Sequence, residues 1–591
     1  MMMENERRLA EFPPVGMAEW QAAIVRDLKG VDPEKRLTWR TEEGMAVRPF
    51  YRDEDLQHLE LPSPLPGEFP YRRGARATGD WRIREEIESA DAEEANRLAQ
   101  AAVAAGADEA AFGAVTAESA QDLDRLLGNL DTIPVHFVCA DERLHRLLIE
   151  RLHRTPRTAK TSTGCDALAS LNFAAEIVLA APRGLIPFAI HAEAFADAGA
   201  TAVQEIGFTL AAGVDFLAAL RERGVAIDRT ASALEFDFSV GSNFFFEIAK
   251  FRAFRMAWAR VVESFGGSRE AARAQIAART AKWNRTIYDP HVNILRATTE
   301  AMAAVLGGAD AVTVQPFDAC YRTPDEASRR LARNTQLLLK HEACMGRVAD
   351  AGGGSYALET ITDFLAGEGW KTLQEIEAEG GFGKAQAAGL IAEALQRSLS
   401  AREQSVALRK RVLVGTNQFA SAAEQALERS DERRMEADPR GAQIYERLRL
   451  RTERHRAAGG KTPRILLAEI GEVKMRAARS NFAANFFACA GFAIAIERFK
   501  NAAEIADAAA RAEAIVLCSA DAEYAALTAA LMPKLNAKGC ATPVIVAGNP
   551  EDAAALRAAG VADFVHLRCQ PVEFLTKWQQ RWGIEDAASS R

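Results

Sequence analysis

The clearest periodicity lies in the last third of the chain, where short apolar, β-branched runs alternate with alanine-rich stretches of helical spacing. The runs RILLAEI, FAIAIERF, AIVLCS, PVIVAG and DFVHLR read as strands, and ARSNFAANFFACA, AAEIADAAARAEA and AEYAALTAALMPKL read as helices between them. Near-continuous apolar strands separated by helices predict a parallel sheet covered on both faces. Residues 463–591 are therefore expected to form a flavodoxin-like, doubly wound domain. In such a sheet the loops after the first and third strands, GEVKM (471–475) and SADAE (519–523), flank the topological switch, where this architecture receives ligands.

The same rhythm recurs on a larger scale over residues 65–440. DEAAFGAV, PVHFVCA, LIPFAIHA, ALEFDFSV and DAVTVQPF are candidate strands between helical segments. In NFFFEIAKFRAFRMAWARVV, Phe244, Ile248, Phe251, Phe254, Trp258 and Val261 recur at three- and four-residue steps, the stripe of a helix laid on a sheet. So many units in one stretch predict an α/β fold of the (β/α)8 TIM-barrel kind rather than an open sheet. Residues 441–462 turn from a charged helical pattern to Gly/Pro punctuation and read as a linker, with a boundary near Gly459 and Gly460. Its arginine-rich piece YERLRLRTERHR reads as a solvated helix face. Residues 1–64 stand apart: Pro13 and Pro14 precede an amphipathic MAEWQAAIVRDLKG and a strand-like LTWRTEEGMAVRPFY. An arm around a partner and a lid on the chain's own barrel are both open readings.

Composition narrows the function classes. A length of 591 residues exceeds what one core serves, and 48% hydrophobic with 26% charged residues is ordinary for a folded protein. A net charge of −8 without any long Lys/Arg run argues against nucleic acid as a partner. The N-terminal stretch lacks the apolar segment of a signal peptide and no run approaches the ~18 apolar residues of a membrane span, so a cytoplasmic location is expected. The eight cysteines (Cys139, Cys165, Cys320, Cys344, Cys489, Cys518, Cys540 and Cys569) show neither a C-x-x-C pair nor metal-ligand spacing, and read as reduced thiols. The glycines of Gly352–Tyr356 read as a tight turn, because a phosphate loop would run from a strand into a helix. Arg333 and Asn334 lie on a helical pattern and read as structural. Asp237 and Asp289 have no carboxylate partner visible in the sequence, so no acid–base role is assigned to them.

Four blocks, SVGSNFFFEIAKFRAFRMAW, NILRATTEAMAAVLGGAD, RRLARNTQLLLKHE and ADAGGGSYALETIT, resemble in order and spacing the substrate-barrel signatures of cobalamin-dependent acyl-CoA mutases. The resemblance runs over residues 65–590 and implies the two-domain plan of the methylmalonyl-CoA mutases. For active members it further implies a D-x-H-x-x-G loop after the first C-terminal strand, whose histidine ligates cobalt while the aspartate orients it. That loop here reads Gly471, Glu472, Val473, Lys474, Met475, Arg476. The nine histidines stand at 58, 136, 145, 153, 191, 291, 341, 455 and 566, and none falls between 456 and 565. His455 precedes the first strand of this domain, and His566, on its fifth, reads as packed or hydrogen-bonded. Met475 reads as core filler rather than a thioether ligand.

In active members the resemblance also implies a Tyr-His pair ahead of a Gln-Glu-Ala-Gly-Ala-Thr segment, the histidine bonding the thioester carbonyl. Asp197, Ala198, Gly199, Ala200 and Thr201 match the tail of that segment, which sets Glu193 and Ala194 where Tyr and His belong. His191 lies at an odd offset from Ala194, and in an extended segment it would face the opposite side. A gating tyrosine is expected before WRIREEI; Arg76 takes its register, Tyr71 matches a different upstream tyrosine, and no tyrosine occurs from 72 to 287. Phe236 and Phe238 share one face of EFDFSV and would fill the barrel channel if that face is inward.

ARSNFAANFFACAGF, NRTIYDPHVNILRATTEA and LTWRTEEGMAVRPFY resemble the small-subunit branch of the family. That implies a subunit of an isomerase, non-catalytic by itself, paired as a heterodimer with a homologous large subunit. The large subunit would hold adenosylcobalamin and acyl-CoA and interconvert methylmalonyl-CoA and succinyl-CoA, while this chain supplies no catalytic, cofactor-binding or metal residue. Two other readings remain at this stage. One is an active acyl-CoA mutase with a different substrate and altered cobalt ligation, and the other a regulatory or scaffold protein of cobalamin metabolism.

Overall fold

Polar and apolar residues alternate along a ring of parallel strands that closes on itself. The computed structural model describes residues 15–585 apart from 58, 60–63, 114–116, 139 and 438, so Pro13, Pro14, His58 and Cys139 lie outside the described residues. After a hairpin of β1 (Trp39–Arg40) and β2 (Ala46–Val47) come β3 (Arg82–Ile87), β4 (Glu109–Phe112), β5 (Val135–Phe137) and β6 (Thr161–Thr163). These are followed by β7 (Leu185–Ile186), β8 (Phe188–His191), β9 (Leu234–Val240), β10 (Gln275–Thr280) and β11 (Ala311–Thr313). The sheet order is β7-β6-β5-β4-β3-β11-β10-β9-β8, every pairing parallel. Only Pro187 separates β7 from β8, and a proline has no N–H for a ladder bond. Taken as one strand broken there, β7 and β8 close a (β/α)8 barrel, and an isolated bridge from Asp166 to Ala189 continues the seam. Strands β3, β6 and β10 were not among the runs singled out by hydrophobicity, because β3 and β10 carry charged and amide side chains and β6 is three residues long.

Which face of each strand points to the axis decides what fills the barrel. Phe236 and Phe238 of β9 point outward into the helix Phe244–Ser264, where Phe236 meets Phe254 and Trp258 at 4.8 Å between ring centroids. Phe238 meets Phe251 at 5.7 Å and Phe254 at 4.8 Å. The two phenylalanines therefore do not fill the channel; the alternate residues Glu235, Asp237 and Ser239 face it.

The helix layer is drawn close by small residues. A Cβ on Gly207 of Ala202–Glu222 would lie 2.5 Å from Thr372, and one on Gly369 of Tyr356–Ala378 would lie 2.5 Å from Ile206. Gly369→Val is expected to force these helices apart and cost about 1–3 kcal/mol, read as a lower denaturation midpoint. Among the described residues, Ala202–Glu222 is the one helix long and apolar enough to cross a membrane, yet 67% of its most apolar window is buried inside the protein.

The second sheet holds β12 (Arg464–Glu469), β13 (Ala493–Arg498), β14 (Ala514–Cys518), β15 (Val544–Ala547) and β16 (Asp563–Val565). Its order, β13-β12-β14-β15-β16, all parallel, is the flavodoxin-like 2-1-3-4-5 arrangement. One face packs Ile465, Leu467 and Val516 against Phe486, Phe487 and Trp578. The other packs Leu466, Ile515 and Leu517 against Ile505 and Leu531.

The arginine-rich piece ahead of this sheet is not a solvated face. It forms the helix Gln443–Ala457, whose Tyr445 and Leu448 join the core containing Trp578. Arg449 is buried with its guanidinium 3.7 Å from the Tyr288 ring centre, and it donates to the carbonyls of Ser421 (2.6 Å) and Glu424 (3.1 Å). Glu453 accepts from the Tyr288 hydroxyl at 2.7 Å. Wedged between barrel loops and the second sheet, the helix is covered on several sides, and its charges are met by carbonyls and a ring instead of water. The N-terminal hairpin rests on the chain's own barrel: Trp39 lies edge-on to Phe246 at 5.9 Å, and Glu42 pairs with Arg402 and Arg411.

Candidate functional site

Inward-facing side chains build a charged column along the barrel axis. Arg84 of β3 donates to Glu109 of β4 at 2.9 Å and to Glu235 of β9 at 2.8 Å, and Arg82 donates to Glu109 at 2.8 Å. His136 of β5 sits 2.8 Å from Ser162 and 3.5 Å from Glu235. Toward the C-terminal strand ends, His191 Nδ1 lies 3.0 Å from Glu193 and 3.2 Å from Asp237, while its Nε2 lies 2.9 Å from the Gly164 carbonyl oxygen. Arg279 closes the column on Glu86 at 3.0 Å.

Burial and pairing set the charges in this column. Burial opposes the Arg84 cation, but Glu109 and Glu235 outweigh it and hold its proton more firmly than usual. Burial would raise Glu109, yet Arg84 and Arg82 bring it down to about 2. Burial together with the charge of Arg84 takes His136 down to about 3, so it is neutral. Burial pushes Glu235 up to about 7, and the nearby Asp237 and Glu109 oppose the pull of Arg84. At His191 burial is overcome by the hydrogen bonds to Asp237 and Glu193, which push it up to about 12.

What space remains is small. A cavity of about 60 Å³ lined by Arg84, His136, His191, Glu193, Asp237 and Arg279 has room for only a few waters. A larger cavity of about 590 Å³ lies at the rim, under the N-terminal hairpin and beside Lys250, Trp283 and Arg411. Among its cations Lys250 donates to Glu205 at 2.7 Å and Glu247 at 2.6 Å, and Arg411 pairs with Glu42 over the Trp283 ring, while Arg40, Arg402 and Lys410 also line it.

Several residues singled out in the sequence stand elsewhere than expected. His191 is not turned away from the site, because the chain after it is the helix Ala192–Asp197 and the even–odd rule of an extended segment does not apply. It ends β8 with its ring in the lumen, whereas Ala194 is exposed. Asp237 does have partners, His191 and Glu193, which only the closed barrel brings to it. Arg76 pairs with Asp310, the residue before β11, at 3.3 Å, so it sits at the N-terminal end of the strands, opposite the mouth. From that segment it is Glu86, at the far end of β3, that reaches the mouth. Tyr71 is buried and donates its hydroxyl to the Arg269 carbonyl.

The other residues singled out in the sequence make ordinary structural contacts. Arg333 bonds Glu85 at 2.6 Å on the outer side of β3, and Asn334 is exposed on the same helix. Asp289 is held by its backbone N–H on Glu424. Gly352 and Gly353 lie in a turn in which the Gly354 N–H donates to Glu359 at 2.9 Å. His566 follows β16 and accepts from the Arg568 N–H at 3.1 Å. No sequence signal pointed to the charged column except the alternation of Glu235 and Asp237 with Phe236 and Phe238.

In the second domain the ligand-facing loops close on each other. Gly471 has φ +80°, and a Cβ there would fall 2.1 Å from a Glu523 carboxylate oxygen and 2.6 Å from Ser519 Oγ. Ser519 donates to the Ile470 carbonyl at 2.8 Å, and Glu469 accepts from Ser480 and Arg498. The loop leads straight into the helix Val473–Ala488, on whose first turn Met475 is half-buried and outside the hydrophobic cores. At the end of this helix Phe486 and Phe487 meet Phe574, and Phe574 meets Trp578, mostly edge-on, at 5.3–6.2 Å between centroids. Adenosylcobalamin held through an imidazole does not fit this donor set, which offers Glu472, Lys474 and Met475 on a loop whose Gly471 lies against Ser519 and Glu523.

The comparisons agree with this architecture. The sequence profile described as methylmalonyl-CoA mutase matches residues 40–124 and 176–498. The methylmalonyl-CoA mutase small subunit of Porphyromonas gingivalis is 37% identical over 99% of this chain and 100% of its own length. That of Streptomyces virginiae is 32% identical over 97% of this chain and 98% of its own length. The methylmalonyl-CoA mutase of Cereibacter sphaeroides is 30% identical over 74% of this chain and 69% of its own length. With a mutase-type barrel, a flavodoxin-like second domain and matches that span nearly all of it, this chain belongs to the methylmalonyl-CoA mutase family.

Proposed function

We propose that this chain is the non-catalytic small subunit of a heterodimeric methylmalonyl-CoA mutase. A homologous large subunit, in this reading, holds adenosylcobalamin and acyl-CoA and interconverts methylmalonyl-CoA and succinyl-CoA. The observation that carries the reading is the charged column: Arg84 bridges Glu109 and Glu235 across the axis through which an acyl-CoA chain would thread. The imidazole-free loop after β12 supports it independently. The names of the full-length relatives as small subunits are consistent with a partner.

In this role the chain's own residues hold shape. A closed barrel with a charged core and a second domain without an imidazole on its first loop give a partner a surface to dock on, and the reacting groups come from that partner. The test has two arms. Purified chain mixed with adenosylcobalamin is expected to give no change in the cobalamin absorbance spectrum, and co-expression with the large subunit is expected to yield a one-to-one complex. Mutase activity should appear only when the large subunit is present. Stoichiometric cobalamin binding by the chain alone, or turnover without the large subunit, would overturn the reading.

A further inference from the structure

At the C-terminal mouth of the barrel, one imidazole nitrogen and two carboxylates converge from β8, the helix Ala192–Asp197 and β9. Their donor atoms, on His191, Glu193 and Asp237, all lie within 4.8 Å of one another. The ring of His191 is oriented from behind: Nε2 carries a hydrogen to the Gly164 carbonyl oxygen at 2.9 Å, since that oxygen can only accept. Nδ1 is thereby aimed at the two carboxylates. Without a metal, Nδ1 shares a proton with these carboxylates; a bound cation would release that proton to solvent and take its place, leaving the ring anchored through Nε2 on the backbone carbonyl.

The carboxylates are incompletely satisfied. Glu193 Oε2 and Asp237 Oδ1 are both inaccessible to solvent and neither has a hydrogen-bond partner. The neighbouring cations do not serve them: Arg84 is engaged by Glu109 and Glu235, and Arg279 by Glu86. The cavity of about 60 Å³ opens on the same three residues and can hold an ion with one or two waters.

The spacing suits a cation as well as a proton. With metal–nitrogen and metal–oxygen bonds of about 2.1 Å, neighbouring ligand atoms in octahedral to tetrahedral geometry stand about 3.0–3.4 Å apart. The two observed nitrogen–oxygen separations are 3.0 and 3.2 Å.

We propose that His191, Glu193 and Asp237 form a binding site for one divalent transition-metal cation of the zinc or manganese class, completed by water from the adjoining cavity. One nitrogen and carboxylate oxygens make a borderline-to-hard donor set, which selects such ions over soft ones. The ion ties the end of β8 and the helix that follows it to the neighbouring β9 at the mouth of the barrel, so its role is to lock the scaffold. The proposal is independent of the subunit assignment, because its readout is metal and not turnover.

The test uses the full chain, stripped with a chelator and titrated with ZnCl2, MnCl2 and, for its visible spectrum, CoCl2. One equivalent of Zn2+ or Mn2+ is expected to bind and raise the barrel's melting temperature, and Co2+ should show the absorption of a nitrogen/oxygen site. Asp237→Asn and Glu193→Gln, each isosteric, should weaken binding at least tenfold, while His341→Gln at an exposed position leaves it unchanged. If Asp237→Asn does not fold, Glu193→Gln alone decides. Absence of binding in the parent chain, or binding that survives both carboxylate substitutions, overturns the proposal and leaves an imidazolium bridging two carboxylates.

Discussion

Replacing Arg84 by methionine is expected to lower the stability of the barrel by about 3–5 kcal/mol, the cost of stranding buried charges after one partner is removed. The side chains of Arg84, Glu109 and Glu235 are at most 5% exposed, so solvent cannot take over the lost interaction. Glu109 would keep Arg82, but Glu235 would keep no cation, only the neutral His136 at 3.5 Å. Water has little room to enter, because the adjoining cavity is about 60 Å³. The double variant Arg84→Met with Glu235→Leu should recover a large part of the loss, since replacing both members of a buried pair by apolar groups is often close to neutral. Denaturant titration followed on the barrel transition measures both. The two-domain chain is expected to unfold in more than one step, so a single midpoint would not serve. A loss below about 1 kcal/mol for Arg84→Met would show that the column does not hold the barrel.

The second large effect is expected at Glu359, at the other side of the helix layer. This carboxylate accepts from Arg252 at 2.7 Å and from the Gly354 N–H at 2.9 Å, and it pairs with Arg72. It joins the loop before β3, the helix Phe244–Ser264, the glycine turn and the helix Tyr356–Ala378. Glu359→Gln leaves the buried Arg72 without its carboxylate partner while Arg252 keeps Asp350, at a cost of about 3 kcal/mol near neutral pH. Burial alone would raise this group, but the Gly354 N–H, Arg252 and Arg72 hold it below the ordinary value of 4.5. The folded chain therefore binds fewer protons here than the unfolded chain as pH drops, and the contribution, full above about 4.5, is lost as pH falls through the folded value. Glu109, brought down to about 2, acts in the same sense. Stability measured from pH 7 to 3 should fall steeply in the parent and less steeply in Glu359→Gln. A parallel acid limb in the two proteins would contradict the assignment.

These effects concern a scaffold whose function, as proposed, is to be recognised by a homologous subunit. An ionic core in a barrel is weak evidence for high stability, because desolvating charges is costly. It does make the packing all-or-none: each charge needs its partner. In the proposed role, opening this barrel to a threaded chain would mean removing Arg84, Glu109 and Glu235 together.

How far the sequence reaches can be seen at particular residues. The alternation of apolar runs and helical stretches suffices for a parallel barrel followed by a doubly wound sheet, because strands covered on both faces leave that trace in local composition. The lack of any histidine from 456 to 565 is equally local, and no fold could supply an imidazole on the loop after β12. The even–odd pattern of β9 was visible, but not which set faced the axis. Both faces of a barrel strand are buried, so apolarity alone does not choose, and the helix carrying Phe254 and Trp258 captured the phenylalanines. Arg449 read as solvated because its helix is charged all round, and only the docking of that helix between two domains set a ring and carbonyls around it. His191, Glu193 and Asp237 come together because β8 pairs in parallel with β9, with His191 opposite Asp237 in the ladder. Proximity across a ladder follows from register, and register is a property of the closed sheet, not of either strand.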